Sequence, residues 1–393
     1  MLSFSLLLCY TIKAADSAAH CKRKDVTHMK KLIALLLAMS IWVLCAACGG
    51  DEAPETTGAP VETTGAPVET TAPSESEEMS GQETSDSPAL YINPFTGETM
   101  DAPLTTRPVV VSVSNIPDAL PHRNLSAADI VFESLVNGSI VRCLALYSDI
   151  TGVESIGSTR SARPIFIDIA SHYNAFYAHA GGSNYTNGLF GTLDNMNVDT
   201  QDDSGYAYRD EARHKASSWE HCLFIRGTEL MDHIVNKKNV DMSQDANTSF
   251  GLQFVEDGTP VDGETANTVS ITLKYGGTAK ETVMVYNAET GLYEYNQYGQ
   301  TMIDEATYQA EGFTNVIVMY TQMSYNKGYH FADFVAGGNG YFACGGKIVP
   351  ITWKCAGEDQ PFTFYTADGE PLNLGIGTSY IALTVEGAPV TCE

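Results

Sequence analysis

The stretch GSTRSARPIFIDIASHYNAFYAHAGGS (157–183) predicts a helix that is followed directly by a strand. Pro164 favours the first turn of a helix, because its fixed φ suits that position and its missing N–H is not needed there. Apolar residues then recur at the spacing of one buried helix face: Ile165, Phe166, Ile169, Ala170 and Tyr173. The pattern predicts a helix over 164–174 and a short apolar strand over 175–179, which ends at His179.

The segments before this stretch predict an α/β layer. VVVSVSN (109–115) and IVRCLALYSD (140–149) are apolar runs of the kind that are buried on both faces of a sheet. Between them, SAAD (126–129) has the form of a helix capping box. Strands that alternate with helices indicate a mixed sheet, so we expect an N-terminal mixed-sheet α/β domain over 89–245.

After residue 250 the pattern changes to short alternating strands separated by turns. VSITL (269–273) and LYEYN (292–296) are typical of antiparallel strands. We therefore expect a smaller antiparallel β-rich domain over 250–393. The predicted fold class is α+β or α/β, with two separate cores that meet near the polar segment 236–249.

The beginning of the chain resembles an export signal. MKKLIALLLAMSIWVLCAACGG (29–50) combines two lysines, a short apolar run and small residues before Cys48, which is the layout of a secretory signal peptide. Residues 1–28 are unlike it, and we interpret them as an over-extended start. The ending CAACGG resembles a bacterial lipobox, although Cys45 stands where that pattern has leucine. The alternative is ordinary cleavage after Ala47.

The segment that follows the signal predicts a tether. Residues 48–88 contain TTGAPVE at 56–62 and again at 63–69, and they carry acidic but no basic residues. Such a composition does not bury enough apolar surface to fold, and its charges repel one another. We expect residues 29–47 to be the signal peptide and Cys48 to be joined to membrane lipid. The tether would then hold the folded part at the extracytoplasmic face of the cell membrane.

The charge balance narrows the choice of partners. The chain has 48 acidic and 22 basic residues and a formal net charge of −26, which argues against a nucleic-acid partner. The arginines beyond the tether all lie before residue 227: Arg107, Arg123, Arg142, Arg160, Arg163, Arg209, Arg213 and Arg226. This asymmetry indicates that some of them converge on an anion, because guanidinium groups bind carboxylate and phosphate bidentately. The alternative is that each arginine pairs with a nearby carboxylate.

The polar residues of the first domain predict a binding cleft. Arg160 and Arg163 would lie at a helix N-terminus, where backbone N–H groups attract anions. The glycine pair after His179 would allow a ligand to approach the backbone closely. We predict one concave site for an anionic or glycan-type cell-wall ligand or partner, comprising Arg160, Ser161, Arg163, Asp168, His179, Gly181, Gly182, Ser183, Arg209, Asp210, Arg213 and His221.

Several segments resemble one known family. They are RPVVVSVSN (107–115), LSAADIVFESLVNGSIVRCLALY (125–147), GSTRSARP (157–164), HAGGS (179–183) and YRDEARHK (208–215). They are similar to the YerB-like lipoproteins, a family named for a domain of unknown function. The resemblance implies an N-terminal α/β domain, a smaller β-rich C-terminal domain and a lipoprotein signal. The family commonly has Pro-His-Asn where this chain has Glu220-His221-Cys222, which leaves the role of His221 open.

An envelope hydrolase acting on cell-wall material is the alternative function. A histidine, His179 or His221, would act as the base, and Asp168 or Asp210 would orient it, while the arginines of GSTRSARP would hold an anion. The sequence has no GxSxG elbow, HExxH motif, phosphate loop or dinucleotide fingerprint. We therefore expect no cofactor and assign no metal site, although a His/Asp metal site of Asp168, His179, Asp210 and His214 is conceivable without being specified by the spacing. The cysteines beyond Cys48 lack metal-ligand spacing and leave the disulfide state open: Cys143, Cys222, Cys344, Cys355 and Cys392. The oligomeric state is open as well.

The signal and the tether give a testable prediction. Replacing Cys48→Ala removes the thiol that would receive the lipid, so the protein should move from the membrane fraction to the medium. Fractionation of cells and medium measures this, with Cys45→Ala as the matched control that keeps Cys48. Retention of Cys48→Ala in the membrane fraction would contradict the prediction.

Overall fold

Strands dominate the computed structural model, which describes residues 90–199 and 204–393. The strands of the first sequence segment are β1 (Tyr91–Ile92), β2 (Thr99–Met100), β3 (Val109–Ser114), β4 (Ile130–Asn137), β5 (Ile140–Tyr147), β6 (Ile156–Gly157), β7 (Phe176–His179), β8 (Asn195–Asn197), β9 (Ala207–Arg209) and β10 (Leu223–Ile225). The strands of the second segment are β11 (Gln253–Val255), β12 (Glu264–Thr265), β13 (Thr268–Tyr275), β14 (Thr278–Asn287), β15 (Leu292–Gln297), β16 (Gln300–Thr301), β17 (Gly312–Phe313), β18 (Asn315–Tyr320), β19 (Gln322–Asn326), β20 (Tyr329–Asp333), β21 (Gly338–Cys344), β22 (Lys347–Cys355), β23 (Phe362–Thr366), β24 (Asn373–Gly375), β25 (Ser379–Thr384) and β26 (Val390–Cys392). The predicted signal peptide, Cys48 and the tether lie outside the described residues.

The described helices are short and lie in the first segment. They are α1 (Pro164–His172), α2 (Asn184–Asn187), α3 (Glu211–Ala216) and α4 (Gly227–Asp232), with 3-10 turns at Pro117–Ala119 and Trp219–His221 and a π turn at His233–Lys237. The helix and strand predicted for 164–179 are confirmed as α1 and β7. Within the described ranges, no helix combines the length and the apolar character that a membrane span requires.

One large mixed sheet runs through both sequence segments. Its strand order is β12-β22-β21-β18-β25-β4-β5-β3-β7-β8, and β23 also pairs with β22. The pairs β18–β25, β25–β4, β3–β7 and β7–β8 are parallel, whereas the remaining pairs are antiparallel. A second sheet of order β16-β15-β14-β13-β26, with β17 beside β15, is antiparallel throughout. The predicted α+β class, with a mixed sheet and a β-rich second part, is confirmed.

The central strands are buried on both faces, and alternate residues enter two different hydrophobic clusters. On one face, Val110 and Phe132 pack with the apolar side of α1, including Phe166. On the other face, residues such as Val131 pack with the second sheet, including Ile271. This alternation follows from the two-residue period of a strand. It explains why β3, β4 and β5 are mostly apolar on both faces.

The prediction of two separate cores is wrong. Strand β25 lies beside β4 in parallel register, with Tyr380 opposite Val131, and the described residues belong to one compact unit. Both hydrophobic clusters contain residues from both segments. The physical reason is that β4 is apolar on both faces and must be paired at both edges, so a strand of the second segment completes it.

The capping-box pattern at 126–129 does not begin a helix. The Asp129 carboxylate accepts a hydrogen bond from the Ser148 backbone N–H at 2.5 Å and from the Asn93 side chain at 3.0 Å. The Asp129 N–H donates to the Leu146 carbonyl at 2.9 Å, which starts the pairing of β4 with β5. The Asp129 carboxylate is therefore bound by residues distant in the sequence, although the local pattern assigns it to the start of a helix.

A buried ion pair joins the large sheet to the second sheet. Glu133, in the middle of β4, is fully buried, and its carboxylate accepts a hydrogen bond from Lys280 Nζ at 2.6 Å. Asn115 Nδ2 (2.5 Å), Thr282 Oγ1 (2.8 Å) and the Tyr380 hydroxyl also donate to it. Four donors, two of them on β14, one on β25 and one directly after β3, thus satisfy one charge that would otherwise be costly to bury.

Removing only one member of the Glu133–Lys280 pair should destabilise the protein more than replacing both members. Lys280→Met leaves the Glu133 carboxylate without its cation, so the free energy of unfolding should fall by about 3–5 kcal/mol. Lys274→Met, at an exposed position on β13, should change it by less than about 0.5 kcal/mol. Denaturant unfolding measures both, and equal stability of the two variants would contradict the role of the pair. The double variant Glu133→Gln, Lys280→Met should recover part of the loss.

Candidate anion-binding site

The GSTRSARP loop lies between β3 and the segment that follows β7, and it is hydrogen-bonded to both. The Arg160 N–H donates to the Ser112 carbonyl of β3 at 2.7 Å, and the Arg160 carbonyl accepts from the Ala180 N–H after β7 at 2.9 Å. The Ala162 N–H donates to the Gly181 carbonyl at 3.1 Å. Main-chain bonds therefore fix the loop on both sides, next to the start of α1.

Three arginines, which we call the arginine cluster, lie around this loop: Arg142, Arg160 and Arg163. Arg142 projects from β5 and is 2 % exposed. Its Nη1 donates to the Ser161 carbonyl at 2.5 Å, and its Nε is buried without a hydrogen-bond partner among the described residues. A buried guanidinium with a free donor is a group that a ligand can satisfy.

The other two members are partly exposed. Arg160 donates to the Glu220 carbonyl at 2.9 Å and to the Glu220 carboxylate at 2.8 Å, and the Glu220 side chain is 68 % exposed. Arg163 donates from Nε to the Asn137 amide oxygen and from Nη1 to the Ala162 carbonyl at 2.7 Å. The cluster therefore reaches solvent at one side while Arg142 lies at its base.

The cluster has more positive than negative charge. Within residues 90–199 and 204–393, no carboxylate lies within 4 Å of the guanidinium nitrogens of Arg142 or Arg163, and Glu220 pairs with Arg160 alone. Burial, with repulsion from Arg163 and Arg160, holds the pKa of Arg142 well below its usual range. Burial also lowers the pKa of Arg163. Both shifts agree with the absence of a paired carboxylate at Arg142 and Arg163.

A hairpin from the second segment covers the cluster. In the β19–β20 hairpin, the Tyr329 hydroxyl donates to Ser183 Oγ at 3.0 Å, and Arg163 lies over the Tyr329 ring at 5.5 Å. Tyr329 stacks on Tyr185, with ring centroids 6.1 Å apart, and Lys327 lies over Tyr185 at 4.2 Å. The hydrogen bond with Ser183, together with the charges of Arg163 and Arg142, lowers the pKa of Tyr329. The site thus combines both sequence segments.

The helix N-terminus contributes less than the sequence predicts. Pro164 has no N–H, and the N–H groups of Phe166 and Ile167 both donate to the Arg163 carbonyl at 3.0 Å. The glycine pair also has an internal explanation. A Cβ at Gly182 would lie 2.4 Å from Asn187 Oδ1, and Gly181 has φ +81°. Packing and backbone conformation therefore require these glycines without any ligand.

The groups of the predicted hydrolase do not assemble. His179 is 2 % exposed, and its ring nitrogens contact the Gly181 carbonyl at 2.8 Å and the Asn195 amide oxygen at 3.3 Å. Burial lowers the pKa of His179, and its ring stacks on Phe190 at 5.1 Å. Asp168 lies on α1, and neither Asp168 nor Asp210 is a partner of His179 among the described contacts. No described group of three His, Cys, Asp or Glu residues is arranged to hold a metal.

Another part of the predicted set lines a separate cavity of about 680 Å³. Asp210, Arg213 and His221 lie in its wall, whereas Arg160, Arg163, His179 and Arg209 do not. The predicted residues therefore do not share this one cavity, and their role in ligand binding stays a prediction.

The cavity's arginines are neutralised by carboxylates. Glu305 accepts from Arg213 Nη2 at 2.5 Å and lies 2.7 Å from Arg123 Nη2, and Asp210 lies 3.1 Å from Arg123. The backbone N–H of Arg213 and then the Arg123 guanidinium lower the pKa of Asp210. Arg209, outside the cavity wall, pairs with Asp199 at 2.5 Å. Each of these arginines is therefore paired with a carboxylate.

Sequence reasoning missed two members of the site. Arg142 lies inside the apolar strand sequence IVRCLALY. A charged residue in a strand that is buried on both faces is unusual, and this signal could have identified Arg142 as a site residue. Tyr329 lies 146 positions after its partner Ser183. No local pattern connects residues at that separation.

The fold and the site define a class: an α+β protein whose two segments share one mixed sheet, with an arginine-lined site at the strand ends. The chain belongs to the family of proteins of unknown function DUF3048, whose N-terminal domain matches residues 95–241 and whose C-terminal domain matches residues 271–381. It is 25% identical over 277 residues to "Putative lipoprotein YerB" of Bacillus subtilis (strain 168), covering 66% of this chain and 80% of that protein. Its fold is similar to the crystal structure of YerB protein from Bacillus subtilis, with a TM-score of 0.65 and 22% identity, covering 76% of this chain and 99% of that chain. The family predicted from the sequence is confirmed.

The charge imbalance predicts an unusual stability effect. Arg142→Met keeps the length of the side chain but removes a buried charge that lacks a carboxylate, so the free energy of unfolding should rise by about 1 kcal/mol or more. Arg107→Met, which breaks the 2.7 Å pair with Asp194, should lower it instead. Denaturant unfolding in an anion-poor buffer distinguishes the two. A loss of stability in Arg142→Met as large as that in Arg107→Met would contradict the imbalance.

Proposed function

We propose that this protein is a lipid-anchored envelope protein that binds an oxyanion, phosphate or carboxylate, at the arginine cluster. The observation that carries the proposal is the cluster's composition: three guanidinium groups and one exposed carboxylate, Glu220, among its described ion pairs. The buried Nε of Arg142 adds a free donor. An oxyanion supplies the charge and the acceptor that the cluster lacks.

The energetics favour binding over a purely structural role. A buried charge without a partner costs several kcal/mol of folding free energy. A structural network would reduce that cost with a nearby carboxylate, as Glu305 does for Arg123 and Arg213. An anion that binds only the folded state recovers the cost through mass action. Anion binding therefore gives a reason for the unpaired positive charge at Arg142, whereas a purely structural role does not.

The sequence and the relative's name support the proposed location. The signal-like segment before Cys48 and the acidic tether after it support a lipid anchor and an extracytoplasmic position. The similar Bacillus subtilis protein is named as a lipoprotein. A tethered domain at that face would meet anionic groups of the envelope.

The test is stabilisation by a defined anion. Potassium phosphate should raise the Tm of the full chain, purified in detergent, by about 2 °C or more over potassium chloride at equal ionic strength. Arg142→Met should lose this increment, because the base of the site is gone. Sodium acetate at the same ionic strength tests the carboxylate arm.

The matched control is Arg226→Met. Arg226 lies over the Tyr208 ring at 4.1 Å and donates to the Gly205 carbonyl at 2.8 Å, outside the cluster. This variant should keep the full phosphate increment. The proposal fails if neither anion stabilises the wild-type chain beyond chloride, or if Arg142→Met responds as strongly as the wild type.

A further inference from the structure

A second cavity, of about 620 Å³, lies in the second segment and shares no residue with the arginine cluster. It is formed by β14, by β15 and by the turn between β15 and β16. Tyr298 lies in this turn and lines the cavity, together with Val283 and Val285. The proposed anion site makes no use of this surface.

The backbone of Tyr298 is in an unfavourable conformation for a tyrosine. The turn between Gln297 and Gln300 has two residues, with φ +53° at Tyr298 and φ +77° at Gly299. Such a turn normally has asparagine or glycine at its first position, because a positive φ strains larger side chains. Strained residues of this kind are concentrated at functional sites. The strain places an aromatic ring where the turn alone would favour asparagine.

The Tyr298 ring is fixed in place and still open to solvent. Its hydroxyl donates to the Asn115 carbonyl at 2.9 Å, and Lys280 Nζ lies 5.6 Å from the ring centroid. The residue is nevertheless 43 % exposed. A held aromatic ring offers contact area to a ligand at a low entropic cost.

The other lining groups combine apolar and polar surface. Val285 is 37 % exposed beside the half-buried Val283, and the exposed Glu281 and Gln300 supply a carboxylate and an amide. Lys280 is held by Glu133 at 2.6 Å, so the cavity presents no free cation among its lining residues. The chemistry suits an uncharged ligand with an apolar face and hydroxyl groups at its edges.

We propose that this cavity binds a neutral saccharide unit, which packs on the Tyr298 ring and the two valines and hydrogen-bonds to Glu281 and Gln300. The ring supplies the apolar surface that the C–H face of a sugar matches. The carboxylate and the amide supply acceptors and donors for its hydroxyl groups. This site is independent of the anion site and places a sugar-binding function in the second segment.

A structural role for Tyr298 competes with this proposal, since the ring also covers Lys280. Two substitutions separate the roles. Tyr298→Phe keeps the ring and loses the bond to Asn115, so it should keep saccharide binding within about twofold of the wild type. Tyr298→Asn relieves the turn and removes the ring, so it should weaken binding by about tenfold or more. Tyr308→Asn is the matched control, because Tyr308 also has a positive φ (+59°) and is 78 % exposed but does not line the cavity.

Isothermal titration calorimetry of the full chain in detergent gives the test. Maltotetraose, cellotetraose and tetra-N-acetylchitotetraose are the probes. At least one should bind the wild type, Tyr308→Asn and Arg142→Met alike, whereas Tyr298→Asn should lose binding. If Tyr298→Asn unfolds, Glu281→Ala and Gln300→Ala decide, and both should weaken binding. The proposal is overturned if none of the three sugars binds the wild type, or if the variants that remain folded bind as the wild type does. Binding by Arg142→Met keeps this outcome separate from that of the anion site.

Discussion

Strand β4 needs hydrogen-bonded neighbours at both edges and apolar packing on both faces, and the rest of the structure depends on that requirement. Its edges pair with β5 and β25, and its faces pack into two hydrophobic clusters. Glu133, in its middle, takes two of its four donors, Lys280 and Thr282, from the second sheet. The two sequence segments therefore cannot be separated without exposing apolar surface and leaving a buried charge unpaired. The same joining brings the β19–β20 hairpin over the arginine cluster.

The arginine cluster lowers the stability of the folded protein. Arg142 lies on the same face of β5 as Leu144, whose side chain enters the cluster around α1, yet it carries a full charge with a single carbonyl partner. Folded proteins keep only a few kcal/mol of net stability, so a cost of this kind persists where function requires it. The extensive apolar packing on both faces of β4 and β5 offsets it.

Local sequence patterns predicted α1 and the central strands, whereas long-range contacts determine which residues form the candidate site. The helical spacing after Pro164 and the apolar runs of β3 and β5 identified α1 and the central strands, because period and composition are properties of neighbouring residues. The SAAD pattern did not begin a helix, because the Asp129 carboxylate accepts a hydrogen bond from Ser148, which directly follows β5. The arginine positions were visible in the sequence, but their pairing was not. The sequence could not show that Glu305 neutralises Arg213 across 92 positions while Arg142 has no such partner.

The charge of the whole chain bears on how such a site can work. A chain with a net charge of −26 repels anions at long range, so its field does not collect them. Most of the other arginines offer no free positive charge to an approaching anion, because Asp194, Asp199, Asp210 and Glu305 neutralise them. Affinity at Arg142 must then come from contacts inside one Debye length, where directed guanidinium bonds act and the distant charges are screened. A site of this kind would discriminate by fit rather than by charge, and the proposed tether would compensate for the unfavourable approach by holding the site near its ligand.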